Sequence, residues 1–332
     1  MIRIFHHTRY DFIKWWRVMA IATAAFIVIG FSRVLYDGGV RYSIDFTGGT
    51  LMQLAFDQRP DVAQLRAALD AGGIRNAEIT QFGSDREFTV RAQEAEGAPA
   101  TGATETRGAA TAARRIQTVL AQRFGAASFR VVRTEAVGPR VGSELRSGAA
   151  WAVALSFVLT LAYLAARFEW RFGLAAVIAT AHDVLTTLAF IKLLNIEVSL
   201  TVIAAILTVI GYSLNDTIII FDRVRENLKK HKGMPLYDLV NLSVNETLPR
   251  SVMTHLTTLG ATLALLLFAG EVIRPFAWVM AFGIFTGTFS SIYVASAILI
   301  WIERRYPRAV PARAAAAARA GAVRANAAVS AP

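Results

Sequence analysis

The architecture of this chain is decided by residues 211–227, GYSLNDTIIIFDRVREN, in which an apolar run meets a cluster of charges. Asp216 stands beside Asn215 and ahead of three isoleucines, in residues that otherwise suit a membrane-spanning helix. A charged side chain at the centre of such a helix costs about 2.5–3.5 kcal/mol on insertion scales. The carboxylate therefore either lies outside the membrane or lies inside it because it has a function there.

The composition of the chain favours a membrane protein. Of its 332 residues, 55% are hydrophobic and 18% are charged, and the mean hydropathy is +0.44. Soluble domains are closer to about 45–50% apolar and about 25% charged. The chain has no cysteine, which excludes disulfides and thiolate metal sites. It has neither an HExxH motif nor a glycine-rich P-loop, so we expect no hydrolytic active site, no cofactor and no metal.

Six apolar stretches of about 18 residues or more are long enough to cross a membrane as helices. They are residues 17–36, 149–166, 172–194, 199–221, 251–270 and 275–302. Lysine and arginine are concentrated in residues 1–16, after the second stretch, in the loop 222–250 and in the tail 303–332. Positive charge marks the cytoplasmic side, so we expect both termini in the cytoplasm. The net charge of +11 then reflects topology, and nucleic acid is not a predicted partner.

Residues 37–148 form the long segment between the first two spans and are expected to be periplasmic. Their pattern predicts the order strand, helix, strand, strand, helix, strand. The expected elements are 50–56, 60–71, 77–82, 86–92, 105–124 and 127–137. This order predicts an α+β, ferredoxin-like domain, a fold that does not by itself indicate a function. The tail 303–332, rich in alanine and arginine, is expected to be disordered or a frayed helix.

Small and polar residues recur at helical spacing in the fourth and fifth spans. The stripe of the fourth span is Thr201, Ala204, Ala205, Thr208, Gly211, Tyr212, Asn215 and Asp216. The stripe of the fifth span is Arg250, Thr254, Thr257, Thr258 and Ala261. Small and polar residues favour contacts between membrane helices, so we expect both stripes to pack inward. The face able to meet lipid is Ile203, Leu207, Ile210, Leu214, Ile218 and Phe221.

Asp216 is therefore predicted to point into the bundle, with Asn215 in its hydrogen bonding, although it could instead reach the cytoplasmic interface. Arg250 lies at about the same depth and is its predicted partner; the alternative is an ordinary cytoplasmic anchor. His182 and Asp183, near the centre of the third span, form either a structural pair or part of a proton path. Desolvation and a nearby cation act on a carboxylate in opposite directions, so these groups have the character of a proton relay.

Four blocks resemble, in order, the SecF branch of the SecD/SecF family of bacterial protein-export subunits, half-length relatives of the RND transporters. They are IDFTGGT (44–50), VGPRVGSEL (137–145), GYSLNDTIIIFDRVREN (211–227) and NLSVNETLPRSVMTHLTTL (241–259). The resemblance covers nearly the whole chain to about residue 305. The Asn-Asp-Thr and Asp-Arg pattern of the third block distinguishes it from the SecD branch. His255 departs from the family pattern, which often has serine there. It either adds a titrating group to the path or only replaces a small polar residue.

The resemblance implies a six-helix RND-like half-bundle in the bacterial inner membrane, with the ferredoxin-like domain between helices 1 and 2. The family uses the proton-motive force, and no cofactor, to pull or retain polypeptide that SecA has pushed through the SecYEG channel. Asp216 and Arg250 align with residues implicated there in proton conduction. The implied partners are a SecD-like subunit, SecYEG, SecA indirectly, a YajC-like small subunit and the unfolded polypeptide.

Two other functions are compatible with the residues alone. An RND-like exporter of lipids or small molecules would carry similar charges, although such exporters usually have both halves in one chain. In a passive scaffold, the buried charges would only lock helices together.

Glycines flank the soluble domain in the FTGGT and VGPRVG motifs. They are Gly48, Gly49, Gly138 and Gly142. Because glycine relaxes backbone limits, they are predicted to be either hinges or tight turns at the membrane surface. Gly283 and Gly287 have GxxxG spacing, which suits packing against a second bundle or within this one.

Overall fold

The structure, a computed structural model, describes residues 8–74, 77–92, 102–270 and 272–307, and for residues 102–110 it describes the backbone alone. In chain order the elements are α1 (Trp16–Tyr36), α2 (Ile44–Thr47), β1 (Gly49–Phe56), α3 (Val62–Ala71), β2 (Glu78–Gln81), β3 (Glu87–Ala92), α4 (Gly102–Phe124), β4 (Phe129–Val137), α5 (Pro139–Arg167), α6 (Trp170–Leu193), α7 (Leu200–Lys230), α8 (Leu236–Phe268), α9 (Arg274–Ser290) and α10 (Ser296–Arg305). A 3-10 turn, Ile13–Trp15, precedes α1, and a π-helical turn, Ser291–Ala295, joins α9 to α10.

Six helices of the described chain are long and apolar enough to cross a membrane. The sixth is the continuous run Arg274–Arg305, made of α9, the π turn and α10. Helix α7 packs against α6, α8 and α9, and its buried valines, such as Val202 and Val224, contribute to the core. Helices α1 and α5 lie outside, and Ile21 and Leu155 are 70% and 56% exposed. Large aliphatic side chains exposed on membrane helices face lipid.

The segment between α1 and α5 folds as a ferredoxin-like α+β domain, so the predicted fold class is confirmed. Its four strands form an antiparallel sheet in the order β2-β3-β1-β4. Successive side chains of a strand point to opposite faces, which places Met52, Leu54 and Phe88 on one side. There they are buried in a core with Leu65 of α3 and Leu120 of α4. The two helices therefore cover one face of the sheet.

Helices α7 and α8 extend into the segment 222–250 that was predicted to be a loop. Within that segment only residues 231–235 lie outside the two helices. The charges mark where the chain leaves the hydrocarbon, and they do not end the helix. Ion pairs one turn apart, such as Lys230–Glu226, are favourable on an exposed helix in water.

A proline stands near each of the two helix starts that differ most from the predicted spans. Pro139 is the first residue of α5, which begins well before the predicted residue 149. Its missing N–H is one that a helix start leaves unpaired anyway. Pro249 lies inside α8, next to the predicted start at residue 251. A proline removes one backbone donor, and neighbouring helices make this tolerable in membrane helices.

The segment before α1 is tied to the first turns of α8. The side chain of Asn245 donates to the Tyr10 carbonyl at 2.8 Å and accepts from its N–H at 2.9 Å. Tyr237 and Asn241 each donate to Asp11 at 2.7 Å, and these hydrogen bonds hold the pKa of Asp11 below its ordinary value. The N-terminal segment and the α7–α8 turn therefore lie at the same end of the bundle.

An ionic cluster joins the soluble domain to the connection between α6 and α7. Arg91 of β3 forms ion pairs with Glu78 of β2 and with Glu197 of that connection. Its guanidinium also donates to the Tyr42 carbonyl at 3.1 Å. The domain is thus held against the bundle by side chains as well as by its two chain connections.

The two glycine motifs at the base of this domain pack against each other. Gly48 and Gly49 have φ values of +72° and +117°, a backbone region that favours glycine. A Cβ on Gly142 would lie 3.0 Å from Gly48 N and 3.2 Å from the Phe46 carbonyl. This geometry favours the tight-turn alternative, and the hinge role of these glycines stays a prediction.

Candidate functional site

Asp216 of α7 is buried, and its two carboxylate oxygens have different surroundings. The residue is 2% exposed, which agrees with the predicted inward orientation. Its Oδ1 accepts a hydrogen bond from the Ser251 hydroxyl of α8 at 2.8 Å. Its Oδ2 has no hydrogen-bond partner among the described residues. A buried oxygen without a partner is costly, so this carboxylate is only half satisfied.

His255 of α8 faces the free oxygen of Asp216. The distance from His255 Nε2 to Asp216 Oδ2 is 3.9 Å, and this nitrogen also lacks a partner within the described chain. On the other side of the ring, Nδ1 lies 2.6 Å from the carbonyl oxygen of Ser251. Since a carbonyl only accepts hydrogen bonds, Nδ1 carries the hydrogen. The Tyr212 ring packs edge-on against the imidazole, with 5.2 Å between centroids.

Two predicted neighbours of Asp216 lie elsewhere. In the described part of the chain no direct ion pair joins Arg250 to Asp216, and Arg250 is exposed. The guanidinium acts on the carboxylate only electrostatically, and its role in a relay stays a prediction. Asn215 is also exposed, because adjacent residues of a helix do not face the same way. Ser251 and His255 take their place. Sequence reasoning missed Ser251 and left the role of His255 open, although their spacing of four residues puts them on one face of α8.

A second buried carboxylate, Asp183 of α6, has partners at both oxygens. It is 0% exposed. Its Oδ2 accepts hydrogen bonds from Ser213 of α7 and, at 2.7 Å, from Ser290 of α9. Its Oδ1 accepts from Nδ1 of the predicted partner His182 at 3.1 Å. The cluster joins three helices and favours the structural alternative for this pair; its role in a relay stays a prediction.

A group of buried small hydroxyl residues extends from Ser213, a donor to Asp183, and the sequence reasoning missed it. Ser213 and Thr217 are one turn apart on α7, and Thr217 Oγ1 lies 2.9 Å from Ser291 Oγ of the π turn. The Ser296 hydroxyl donates to the Ser291 carbonyl at 3.0 Å. Short π-helical turns are frequent at functional sites. The feature of the sequence that indicates this group is the pair of serines within the apolar sequence FSSIYVAS.

The polar stripes of α7 and α8 lie side by side and are partly exposed. Tyr212 connects them, because its hydroxyl donates to the Thr254 carbonyl at 3.2 Å and bonds Thr258 Oγ1 at 3.1 Å. The exposed members are Thr201, Ala204, Thr208, Gly211 and Asn215 of α7, with Arg250, Thr257 and Ala261 of α8. We call these eight residues the polar face. In the described structure these eight residues are not packed inward, and their contact with a second bundle stays a prediction.

The predicted lipid-facing side of α7 is largely inside the bundle, which corrects that expectation. Ile210, Leu214 and Phe221 are 1%, 7% and 1% exposed. The physical reason is that this chain buries its large apolar side chains in its own core. It leaves small and polar side chains at the surface of α7.

The GxxxG pair of α9 packs within the chain. A Cβ on Gly287 would lie 3.0 Å from the Ser213 Cβ, and one on Gly283 would overlap the Val209 side chain. Both contacts are with α7, so the intramolecular alternative holds in the described structure. Helix α9 also packs against α6, where Ser290 of α9 and Ser213 of α7 both donate to Asp183.

These features define a class of protein. A half-bundle of six spans, a ferredoxin-like domain after the first span, and carboxylates buried between the helices are the features of an RND-like membrane transport subunit. The bundle has one half of the twofold arrangement that repeat-built transporters use.

Comparison with known proteins identifies the family. Residues 116–305 match the model for the protein export membrane protein SecD/SecF, C-terminal, and residues 38–58 match the SecD/SecF GG motif. The protein translocase subunit SecF of Gemmatimonas aurantiaca is 62% identical over 322 residues, which are 97% of this chain and 95% of that protein. The SecF of Desulfurispirillum indicum is 42% identical over 87% of this chain and 91% of that protein.

A solved structure has the same fold. The crystal structure of SecDF, a translocon-associated membrane protein from Thermus thermophilus, matches with a TM-score of 0.77 and 39% identity. The match covers 90% of this chain and 39% of the SecDF chain. The chain belongs to the SecD/SecF family of protein export membrane proteins, and the resemblance to the SecF branch is confirmed. It is a multi-pass membrane protein.

Proposed function

We propose that this chain works with a SecD-like subunit and uses the proton-motive force to promote late stages of polypeptide translocation across the inner membrane. The chain is then a transport subunit, and the proton gradient is its source of energy. The proposal rests on membership of the family and on one observation, the half-satisfied carboxylate of Asp216.

The free oxygen of Asp216 makes this carboxylate suitable for carrying a proton. A proton can join Oδ2 while Oδ1 keeps its hydrogen bond from Ser251. At Asp183 a proton on either oxygen would compete with a donor already bound there. Asp216 can therefore change protonation without rearranging its neighbours. Arg250, which lies on the polar face, is proposed to act on the proton path from the side of the partner subunit.

The polar face is the proposed contact with the SecD-like subunit. Threonine, asparagine and glycine at the surface of a membrane helix suit helix–helix contact and not lipid. The lipid-facing helices α1 and α5 expose large side chains instead, such as Val28 and Leu159. The 39% share of the SecDF chain covered by the match leaves room in that protein for a second half of similar size.

The proposed orientation places both ends of the chain in the cytoplasm and the soluble domain in the periplasm. Three contacts support a common end for the basic segments: Asp11 with Tyr237 and Asn241, Arg167 with Asp222, and Arg171 with the Pro307 carbonyl. Positive charge favours the cytoplasmic side. The soluble domain would then meet polypeptide leaving SecYEG, with SecA acting indirectly and a YajC-like subunit as a further partner.

Asp216→Asn tests the proton-driven function. Asparagine keeps the size of the side chain and an oxygen for Ser251, but its amide cannot take up a proton near neutral pH. We expect the dependence of export on the proton gradient to fall at least about tenfold, a loss typical for a positioned proton-transfer group. The measurement is secretion of a reporter protein in inverted membrane vesicles that contain the SecD-like subunit.

The matched control is Asp222→Asn on the same helix. The Asp222 side chain is 41% exposed and pairs with Arg167 and Arg225, and such surface pairs contribute little. Normal gradient-dependent export by an assembled Asp216→Asn complex would refute the proposal and favour the scaffold. Export of small molecules without an effect on proteins would favour the exporter.

A further inference from the structure

We infer that His255 is a second proton-carrying group, which passes a proton between the outward half of the bundle and Asp216. The inference rests on the proposed function, because it extends the path that Asp216 would serve. It decides between the two roles that the sequence left open for His255, a titrating group in the path or a substitute for a small polar residue.

The two groups have free ends that face each other. Asp216 Oδ2 and His255 Nε2 are buried, have no partner among the described residues and lie 3.9 Å apart. Hydrogen bonds between such atoms are about 2.7–3.2 Å long. An approach of about 1 Å, or one bridging water, connects them. Two unpartnered atoms on adjoining helices are expensive, and a shared proton satisfies both at once.

The backbone holds His255 in the orientation that this transfer needs. The Ser251 carbonyl, 2.6 Å from Nδ1, fixes the tautomer with hydrogen on Nδ1. In the neutral ring, Nε2 is then the atom that accepts a proton. The edge of the Tyr212 ring restricts rotation of the imidazole from the other side. An imidazole nitrogen can accept a proton and release it again, so His255 has the chemistry of a transfer group.

His255 extends a buried row of polar side chains along α8. Ser243, Thr247 and Ser251 precede it at four-residue spacing and are 0%, 6% and 3% exposed. At the cytoplasmic end of this row, Asn227 bonds both Ser243 and Glu246. With α8 entering from the cytoplasm, His255 lies one turn farther outward than Ser251. A path from outside would therefore reach His255 before Asp216.

Few other charged groups face His255. Helix α7 contributes Asp216 and Tyr212, and Arg250 on its own helix is exposed. Helix α9 has no titratable residue between Pro275 and Ser290. The charges of α10, residues 303–305, belong to its last turn. The protonation of His255 is thus coupled chiefly to Asp216.

The transfer balances as a simple exchange. A proton from the outward side binds His255 Nε2 and forms the imidazolium. It then passes to Asp216 Oδ2, so that the N–H bond breaks, an O–H bond forms, and both groups become neutral. When Asp216 releases the proton toward the cytoplasm, its carboxylate returns and can draw the next proton onto His255.

The test measures proton uptake by proteoliposomes that contain this chain with its SecD-like subunit, under an imposed membrane potential. A pH-sensitive dye inside the vesicles reports the rate over about pH 5 to 8, the range in which histidine titrates. His255→Asn is the informative variant, because its amide keeps a donor for the Ser251 carbonyl and removes Nε2. His231→Gln, an exposed histidine of the α7–α8 turn, is the matched control.

We expect His255→Asn to slow proton uptake at least about tenfold and to remove the inflection of the rate between about pH 5 and 8. His231→Gln should change neither property. Wild-type rate and pH profile in His255→Asn, with uptake abolished in Asp216→Asn, would overturn the inference and leave the proposed function standing. Full uptake in Asp216→Asn would overturn the proposed function itself.

A second measurement does not depend on transport. Infrared difference spectra of the purified complex report the protonated carboxyl of Asp216, identified by its loss in Asp216→Asn. In His255→Asn this band should titrate over a different range of pH from the wild type. An unchanged titration would show that the two groups are not coupled and would overturn the inference.

Discussion

Two carboxylates are buried in the same bundle, and they differ in how completely they are hydrogen-bonded. Asp183 has partners on both oxygens, supplied by α6, α7 and α9. Asp216 has one hydrogen bond, from Ser251, and a free oxygen facing His255. Burial alone therefore does not identify a functional acid. We propose that the number of satisfied oxygens separates a group that locks helices together from one that can change its protonation.

The proposed difference between the two carboxylates is tested most strongly by removing each of them in turn. Asp183→Ala leaves the donors of Ser213, Ser290 and His182 without their acceptor, and disrupting such a buried polar cluster costs about 3–5 kcal/mol. Asp216→Ala leaves one donor, Ser251, without its acceptor, which costs about 1–3 kcal/mol, and it also removes an unsatisfied oxygen. We expect Asp183→Ala to lower the unfolding free energy in detergent much more than Asp216→Ala. Equal losses would show that the free oxygen of Asp216 does not affect the unfolding free energy.

A smaller effect is expected from the serines that hold the two acids. Ser213→Ala and Ser251→Ala each remove one hydrogen bond and should each lower the unfolding free energy by about 1–3 kcal/mol. Their effects on proton uptake should differ. Asp183 keeps Ser290 and His182, so uptake in Ser213→Ala should stay near the wild-type rate. Ser251→Ala removes the one hydrogen-bond partner that Asp216 has among the described residues, and uptake should slow. Equal slowing by both variants would place Asp183 in the path.

The smallest effect concerns Asp11, a hydrogen-bonded carboxylate in water. Hydrogen bonds from Tyr237 and Asn241 lower its pKa. It therefore contributes stability above the unfolded value, about pH 4, and loses it as the pH falls through the lower, folded value. Tyr237→Phe removes one donor. The wild type should melt at a slightly higher temperature than this variant at pH 7 and lose its advantage in acid. A constant difference at every pH would contradict this account.

Much of the architecture could be predicted because it depends on local pattern. The lengths of the apolar runs limited the number of spans, and the alternation in REFTVRA and its neighbours predicted the ferredoxin-like domain. The helix ends were less accurate. Charge marks where hydrocarbon ends, whereas the helical hydrogen bonds of α7 and α8 continue into water as far as Lys230 and back to Leu236.

The site was only partly predictable. The cost of burying a charge pointed to Asp216 and Asp183, and adjacency suggested His182 as a partner. The choice of Arg250 as the partner of Asp216 assumed that equal depth means contact, but the rotation of α8 turns Ser251 and His255 inward and leaves Arg250 outside. A one-residue change of helical phase moves a side chain by about 100°, and the sequence does not specify that phase.

The sequence by itself determined the membrane spans, the class of the soluble domain and the two buried acids, because hydrophobicity and period act over a few turns of chain. The tertiary structure decided which groups meet: Ser213 and Ser290 at Asp183, Ser251 and His255 at Asp216. It also decided that the small and polar side of α7 stays exposed while its large apolar residues are buried. The contacts come from elements far apart in the chain, and their geometry depends on how whole helices pack.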